Sequence, residues 1–307
     1  MTVVSPDIHG LVIIDKPEHM TSAGVVSRVK KILNAKKVGH TGTLDPFATG
    51  VLICCINRAT RLARFLLGGK KKYQALLQLG TETDTQDATG QIISEQQTAA
   101  IAETEIRTVF RNFRGSLEQM PPAYSALKHR GVPLYKHARR GKPIQKPARQ
   151  IVIYDLHILE VRWPFIRFET ICSAGTYIRT LGADIGRALG CGGHLRALRR
   201  IESAGFSLAD AMTLPQLEAR AGSPEFGRYT IGMTAALKNM QEITADMGLK
   251  QKIANGIPLT DKDFVGTQPD DSSKCVKIVD SNGALLAVIE LNLDQNTYQY
   301  CCVFNRK

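Results

Sequence analysis

Between Gly39 and Leu52 the chain reads GHTGTLDPFATGVL, and its chemistry gathers on one side chain. Asp45 is the one carboxylate of the stretch, and an aspartate serves enzymes as nucleophile or general base. Pro46 fixes its own φ and presses Asp45 towards an extended backbone, which holds the carboxylate in a definite direction. Gly39, Gly42 and Gly50 allow turns that residues with a Cβ resist. The spacing predicts a shaped loop, neither helix nor strand. From the dipeptide alone, Asp45-Pro46 also fits an ordinary turn in which the carboxylate caps a backbone N–H.

The elements around this loop are read from periodicity. Leu11 to Asp15 is a short apolar run, a buried strand ended by Lys16-Pro17. From Ser22 to Leu33, Val25, Val26, Val29, Ile32 and Leu33 recur at helical spacing, with Ser22 as the expected N-cap. After the loop, Val51 to Ile56 predicts a second buried strand, and Ala59 to Leu67 a short helix stopped by Gly68-Gly69. In the strand Tyr73 to Leu79, the two-residue period puts Tyr73, Ala75, Leu77 and Leu79 on one face, where Tyr73 reads as a core aromatic. Thr81 to Gly90 is a polar acidic loop in which Asp84 and Asp87 read as turn formers. Thr98 to Phe113 predicts a helix with Ile106, Val109, Phe110 and Phe113 on one side.

A basic stretch follows Pro121-Pro122, with Lys128, Arg130, Lys136, Arg139, Arg140, Lys142, Lys146 and Arg149. Charge runs usually form a solvated face, and interleaved glycines and prolines argue for a mobile loop. Two strands, Ile151 to Trp163 and Phe165 to Ser173, join at Pro164. The segment Gly175 to Gly190 predicts a helix with Ile178, Leu181, Ile185 and Leu189 on its inner face, and Arg179 ordinarily on the surface. A short helix beyond Thr213 and a weakly patterned linker, Gly222 to Gly232, precede the tail. There Cys275 to Val279 and Leu285 to Leu293 read as strands around a Ser281-Asn282-Gly283 turn.

The 307 residues suffice for two domains and a substantial core. Forty Lys+Arg against 28 Asp+Glu leave a net charge of +12, which suits a polyanionic partner. Seven cysteines lack the Cys-x-x-Cys spacing of a zinc site, and the neighbours Cys54-Cys55 and Cys301-Cys302 make no disulfide framework, so reduced, packed thiols are expected. No apolar run approaches bilayer length and no secretory signal is visible, so a cytoplasmic protein without membrane association is expected. The nucleotide-binding glycine fingerprint, the Walker lysine motif and the zinc-hydrolase His pair are missing.

The block Gly39 to Leu52 resembles, almost residue for residue, the catalytic loop of the pseudouridine synthases of the TruB type. The resemblance extends in motif order from Leu11 to Ile201 and includes DKP at Asp15 to Pro17, KKYQ at Lys71 to Gln74, and GTYIR at Gly175 to Arg179. It implies an α+β fold with a mixed, largely antiparallel central sheet and flanking helices over residues 1–235. The tail, 249–307, looks like a small β-rich PUA-like module. It implies isomerisation of uridine 55 in the tRNA T-loop, with Asp45 catalytic, Arg179 pairing with it and Tyr73 stacking on the base. Leu198 would lie against that base, His40 would wedge into the gap it leaves, and Lys16 and Pro17 would support the loop beneath the substrate. Residues 121–149 would form a thumb whose Lys128, Arg139 and Arg140 meet RNA phosphates. The stand-alone branch, a monomer contacting the T-stem and loop without guide RNA, is favoured over the dyskerin-like branch by that thumb. A non-catalytic tRNA-binding protein is the alternative from another class.

The implied reaction breaks N1–C1′, turns the freed uracil and joins C5 to C1′, with no atom gained or lost. It calls for a carboxylate, a shaped pocket and exclusion of water, and for neither metal nor redox cofactor. Burial beneath a base raises a carboxylate's pKa above its usual value of about 3.9, and a facing guanidinium restores the charged form. Attack on C1′, attack on C6 and removal of a sugar proton all begin from that form.

Overall fold

The computed structural model describes residues 8–96, 99–264, 269, 274–292 and 297–304. The chain opens with strand β1 (Gly10–Lys16), helix α1 (Ser22–Ile32), β2 (Val38–His40) and β3 (Thr49–Ile56). Helix α2 (Ala63–Leu67), β4 (Lys71–Leu79), β5 (Thr81–Thr83), β6 (Ile92–Glu95), α3 (Glu103–Asn112) and β7 (Gly115–Gln119) follow. Next come the short pair β8 (Lys128–His129) and β9 (Val132–Pro133), α4 (Leu134–Ala138), then β10 (Arg149–Arg162), β11 (Phe165–Cys172), α5 (Ile178–Ala188) and β12 (Gly193–Ser203). The remainder holds β13 (Phe206–Ser207), α6 (Leu214–Arg220), β14 (Ile231–Gly232), α7 (Met233–Ala236), β15 (Gln241–Thr244), α8 (Met247–Ala254), β16 (Cys275–Val279), β17 (Leu285–Asn292) and β18 (Thr297–Val303).

Ten strands make one sheet in the order β14-β1-β3-β12-β4-β11-β10-β7, with β2 on β3 and β13 on β12. Its pairs are antiparallel except β12 with β3, so the expected α+β sheet, mixed and largely antiparallel, is what forms. The uninterrupted apolar run of β3 follows from burial on both faces. Leu52, Cys54 and Ile56 meet α1, whereas Val51, Ile53 and Cys55 face a core shared with Val279, Val288 and Phe304 of the tail. On the other half of the sheet, α3 and α5 cover β4, β10 and β11 through Ile106, Phe110, Leu181 and Ile185. The tail is β-rich as expected: β15-β16-β17-β18 form a four-stranded sheet over its own core of Leu249, Ile253, Ile278, Ala287 and Ile289. Among the described residues no helix is long and apolar enough to cross a membrane.

Several sequence expectations need correction. Thr21, not Ser22, caps α1, accepting from the Gly24 N–H, because Ser22 is drawn inward to the loop. The segment expected as a helix from Ala59 begins as a 3-10 turn at Asn57 before α2. The helix after Gly175 starts only at Ile178, since Gly175 has φ +87° and lies outside helical geometry. The helix assigned from Thr98 begins at Glu103, and Thr98 lies outside the described residues. Leu293, assigned to a strand, also lies outside them. Residues 121–149 carry structure of their own, the β8–β9 hairpin and α4, pinned by fully buried Leu134. The linker 222–232 ends as β14, paired to β1 through Gly10 and Leu11.

Candidate active site

The loop between β2 and β3 is held from three directions. From below, Lys16 is fully buried and its ammonium donates to the carbonyls of Pro17 at 2.7 Å, Met20 at 2.6 Å and Pro46 at 3.2 Å. All three donors are satisfied by backbone, so Lys16 braces the loop and has no surface left for a substrate; burial pushes its pKa down to about 8, against the pull of Asp45. Pro17 beside it is exposed. From the side, the Ser22 hydroxyl donates to Leu44 O at 3.0 Å and accepts from Leu44 N at 2.8 Å. From behind, Arg200 on β12, 1% exposed, donates to Val51 O at 2.7 Å and Gly42 O at 3.1 Å. Gly50, at φ +102°, lets β12 approach: a Cβ there would stand 2.2 Å from Arg200 O.

Asp45 and Arg179 meet across 134 positions of sequence. Arg179 Nε donates to Asp45 Oδ2 at 2.8 Å and Nη2 to Oδ1 at 3.3 Å, a two-pronged pairing. Two further guanidinium donors reach the carbonyls of Thr85 and Tyr124. Arg179 is 2% exposed, the reverse of the surface position usual for an arginine early in a helix. The start of α5 is clamped by Gln119, which accepts from Tyr177 N at 2.8 Å and donates to Tyr177 O at 3.0 Å. Asp87, read from sequence as a turn former, is buried, with Oδ2 3.6 Å from Arg179 Nε. Its Oδ1 accepts from the Thr85 and Thr89 hydroxyls and Thr89 N.

The Asp45 side chain keeps 33% of its surface exposed, on a cavity of about 380 Å³. That volume is in the range, roughly 300–1,000 Å³, of small-ligand sites. Tyr73 and Leu198 supply its apolar wall, while Lys71, Arg149, Arg179 and Arg200 set four basic side chains around one carboxylate. Burial raises the pKa of Tyr73 although Arg200, its register partner, hydrogen-bonds to it and opposes the shift, so its hydroxyl keeps its proton at neutral pH. Burial and Arg200 together lower Lys71 to about 8, and its ammonium donates to Leu67 O and Gly69 O. Arg149 lies over the Tyr177 ring, 4.8 Å from its centroid, and donates to Gly175 O.

Other sequence candidates lie farther out. His40 is half-buried on β2, outside the cavity wall, its Nδ1 accepting from Gly42 N at 3.3 Å. Lys128, Arg139 and Arg140 are exposed on residues 121–149, from which Ala126 and Leu127 reach the cavity. Asp87 was read from the sequence only as a turn former and Ser22 only as an N-cap, and Lys71 and Arg200 were given no role at the site. Arg200 was within reach, since strand alternation places it on the same face as Leu198.

The chain is similar to known proteins over most of its length. Residues 30–178 match the model of the TruB family pseudouridylate synthase N-terminal domain, and residues 179–225 that of the tRNA pseudouridylate synthase B C-terminal domain. The tRNA pseudouridine synthase B of Syntrophotalea carbinolica is 42% identical over 280 residues, covering 91% of this chain and 90% of that protein. The chain belongs to the TruB family of pseudouridylate synthases. The protein of the same name from Actinobacillus pleuropneumoniae is 36% identical over 94% of this chain and 93% of its own length. Among solved structures, a Cbf5-Nop10-Gar1 complex gives a TM-score of 0.71 at 30% identity, over 92% of this chain and 78% of that one. An H/ACA RNP bound to a substrate RNA containing 2′-deoxyuridine gives 0.74 at 26%, over 97% and 86%. The two TruB models abut between Ile178 and Arg179, so the pair Asp45–Arg179 joins their territories.

Proposed function

We propose that the chain isomerises uridine 55 in the T-loop of tRNA to pseudouridine, as a monomer and without a guide RNA. The observation that carries this is the one-third-exposed carboxylate of Asp45, gripped by buried Arg179 at the floor of a basic cavity. A uridine in a folded loop is stacked, and its extraction costs a few kcal/mol. Stacking on Tyr73 returns roughly 1–3 kcal/mol. Leu198 bears on the base and His40 fills the space it leaves. Asp45 initiates cleavage of N1–C1′, the detached uracil turns inside the cavity, and C5 bonds to C1′. The C5 proton departs and N1 gains one, so composition is unchanged.

Lys128, Arg139 and Arg140 of the thumb, residues 121–149, take phosphates of the stem. Residues 1–235 serve as the synthase domain and 249–307 as a PUA-like RNA-binding module, to whose sheet β15 adds a strand. The likeness to Cbf5 assemblies favours a second reading, a guide-dependent subunit. The relatives named tRNA pseudouridine synthase B match at higher identity, up to 48%, and favour the first.

The test uses unmodified tRNA transcript with tritium at uracil C5. The purified chain alone should release tritium stoichiometrically with uridine 55, and Asp45→Asn should release none while binding tRNA within about tenfold, or about 1.4 kcal/mol. Release only on adding a guide RNA complex would transfer the chain to the second reading. Intact binding with no release under either condition would leave only a tRNA-binding role.

A further inference from the structure

The scattered cysteines of the sequence do not announce a metal site, yet the tail's sheet brings two together. Cys275 on β16 is the register partner of Glu290 on β17. On the opposite flank, Val288 pairs with Cys302 and Ile289 with Tyr300, which leaves Cys301 as the extra residue of a β-bulge. A bulge re-aims a side chain that strict alternation would send to the other face. Here Cys301 packs with Cys275 and Cys302 at the core shared by the tail and the synthase half. Ligand atoms of Cys275, Glu290 and Cys301 all lie within 4.8 Å of one another, and the Cys301 thiol donates to Glu290 Oε2 at 3.7 Å.

We propose that Cys275, Glu290 and Cys301 hold one divalent cation of the zinc class, with water completing a tetrahedron. Two sulfurs and one carboxylate oxygen are the donors zinc accepts, and they are too few and too soft for calcium or magnesium. The three side chains are partly buried, and the Cys301 thiol already donates to the Glu290 carboxylate, so the donor atoms converge before any ion arrives. Each thiol gives its proton to solvent as its sulfur binds an incoming divalent ion. Lys274, 3.7 Å from Glu290 and 86% exposed, is free to swing aside. None of the three ligands lines the cavity at Asp45. The ion is structural: it pins three neighbouring strands together where the tail meets the synthase core.

The probe is cobalt(II), titrated into the metal-free full-length chain. The expected result is uptake of one equivalent with a thiolate-to-cobalt charge-transfer band, displaced by one equivalent of zinc. Cys301→Ser should lose most of that band. Glu290→Gln, which leaves both thiols and removes no core packing, should keep it but bind zinc at least tenfold more weakly. Zinc should raise the melting temperature of the wild type more than that of Glu290→Gln. Absence of the band in the wild type, or an equal band in Cys301→Ser, overturns the proposal. Should Cys301→Ser fail to fold, unchanged zinc affinity in Glu290→Gln overturns it equally.

Discussion

Arg179 spends two of its five donors on the Asp45 carboxylate and two more on backbone carbonyls, so its plane is set before any substrate arrives. Asp87 stands behind it, anchored by three hydrogen bonds to a single oxygen. Asp87→Asn keeps the shape but removes the second negative charge, and should lower kcat by about 10²-fold with KM little changed, since small misplacements of catalytic groups cost that much. An equal rise in KM would assign Asp87 to substrate binding. His40 carries a pH signature. Burial, then Arg200, lowers its pKa below 6.5, and its Nδ1 accepts the Gly42 N–H. A depressed pKa means the unfolded chain takes up the proton first. Stability therefore rises with pH from the lowered folded value up to 6.5, and falls as acid is added through that window. His40→Asn, whose amide oxygen replaces Nδ1, should flatten this slope in urea midpoints measured across the same window.

At the scale of elements, the strands and helices were legible where periodicity is strong: β4 alternates and α1 carries a stripe, as their residues announce. The pairing of Asp45 with Arg179 was legible through motif resemblance alone, because no local pattern links positions 134 apart. Asp87 was read only as a turn former and Arg200 was given no role, because the parts both play as buried supports arise from tertiary contact. The same holds for Ser22, which exchanges a cap for the loop. Gly50 is the tightest of these joints. Gly50→Ala combines a positive φ with overlap against Arg200 O, and should cost roughly 3 kcal/mol. Denaturant unfolding at unchanged m-value checks it, and a loss below ~1 kcal/mol would mean that β12 yields.

Over the whole molecule, the net charge of +12 and the exposed cations of residues 121–149 suit a polyanion. Replacing Arg139 and Arg140 with Gln should weaken tRNA binding and reduce the slope of log K against log salt by roughly 2, while single-turnover rate at saturation holds. An unchanged slope would remove both side chains from the phosphate interface. The carbonyl of Tyr124 belongs to the root of that same arm yet is gripped by Arg179. In the proposed reaction, an ill-fitting RNA that pries the arm loose would also strip a sealed-in N–H of its acceptor, and the arginine's aim would slacken with it. Embrace and reactivity would thus share one fastening, and a substrate grasped awkwardly would meet a blunted carboxylate.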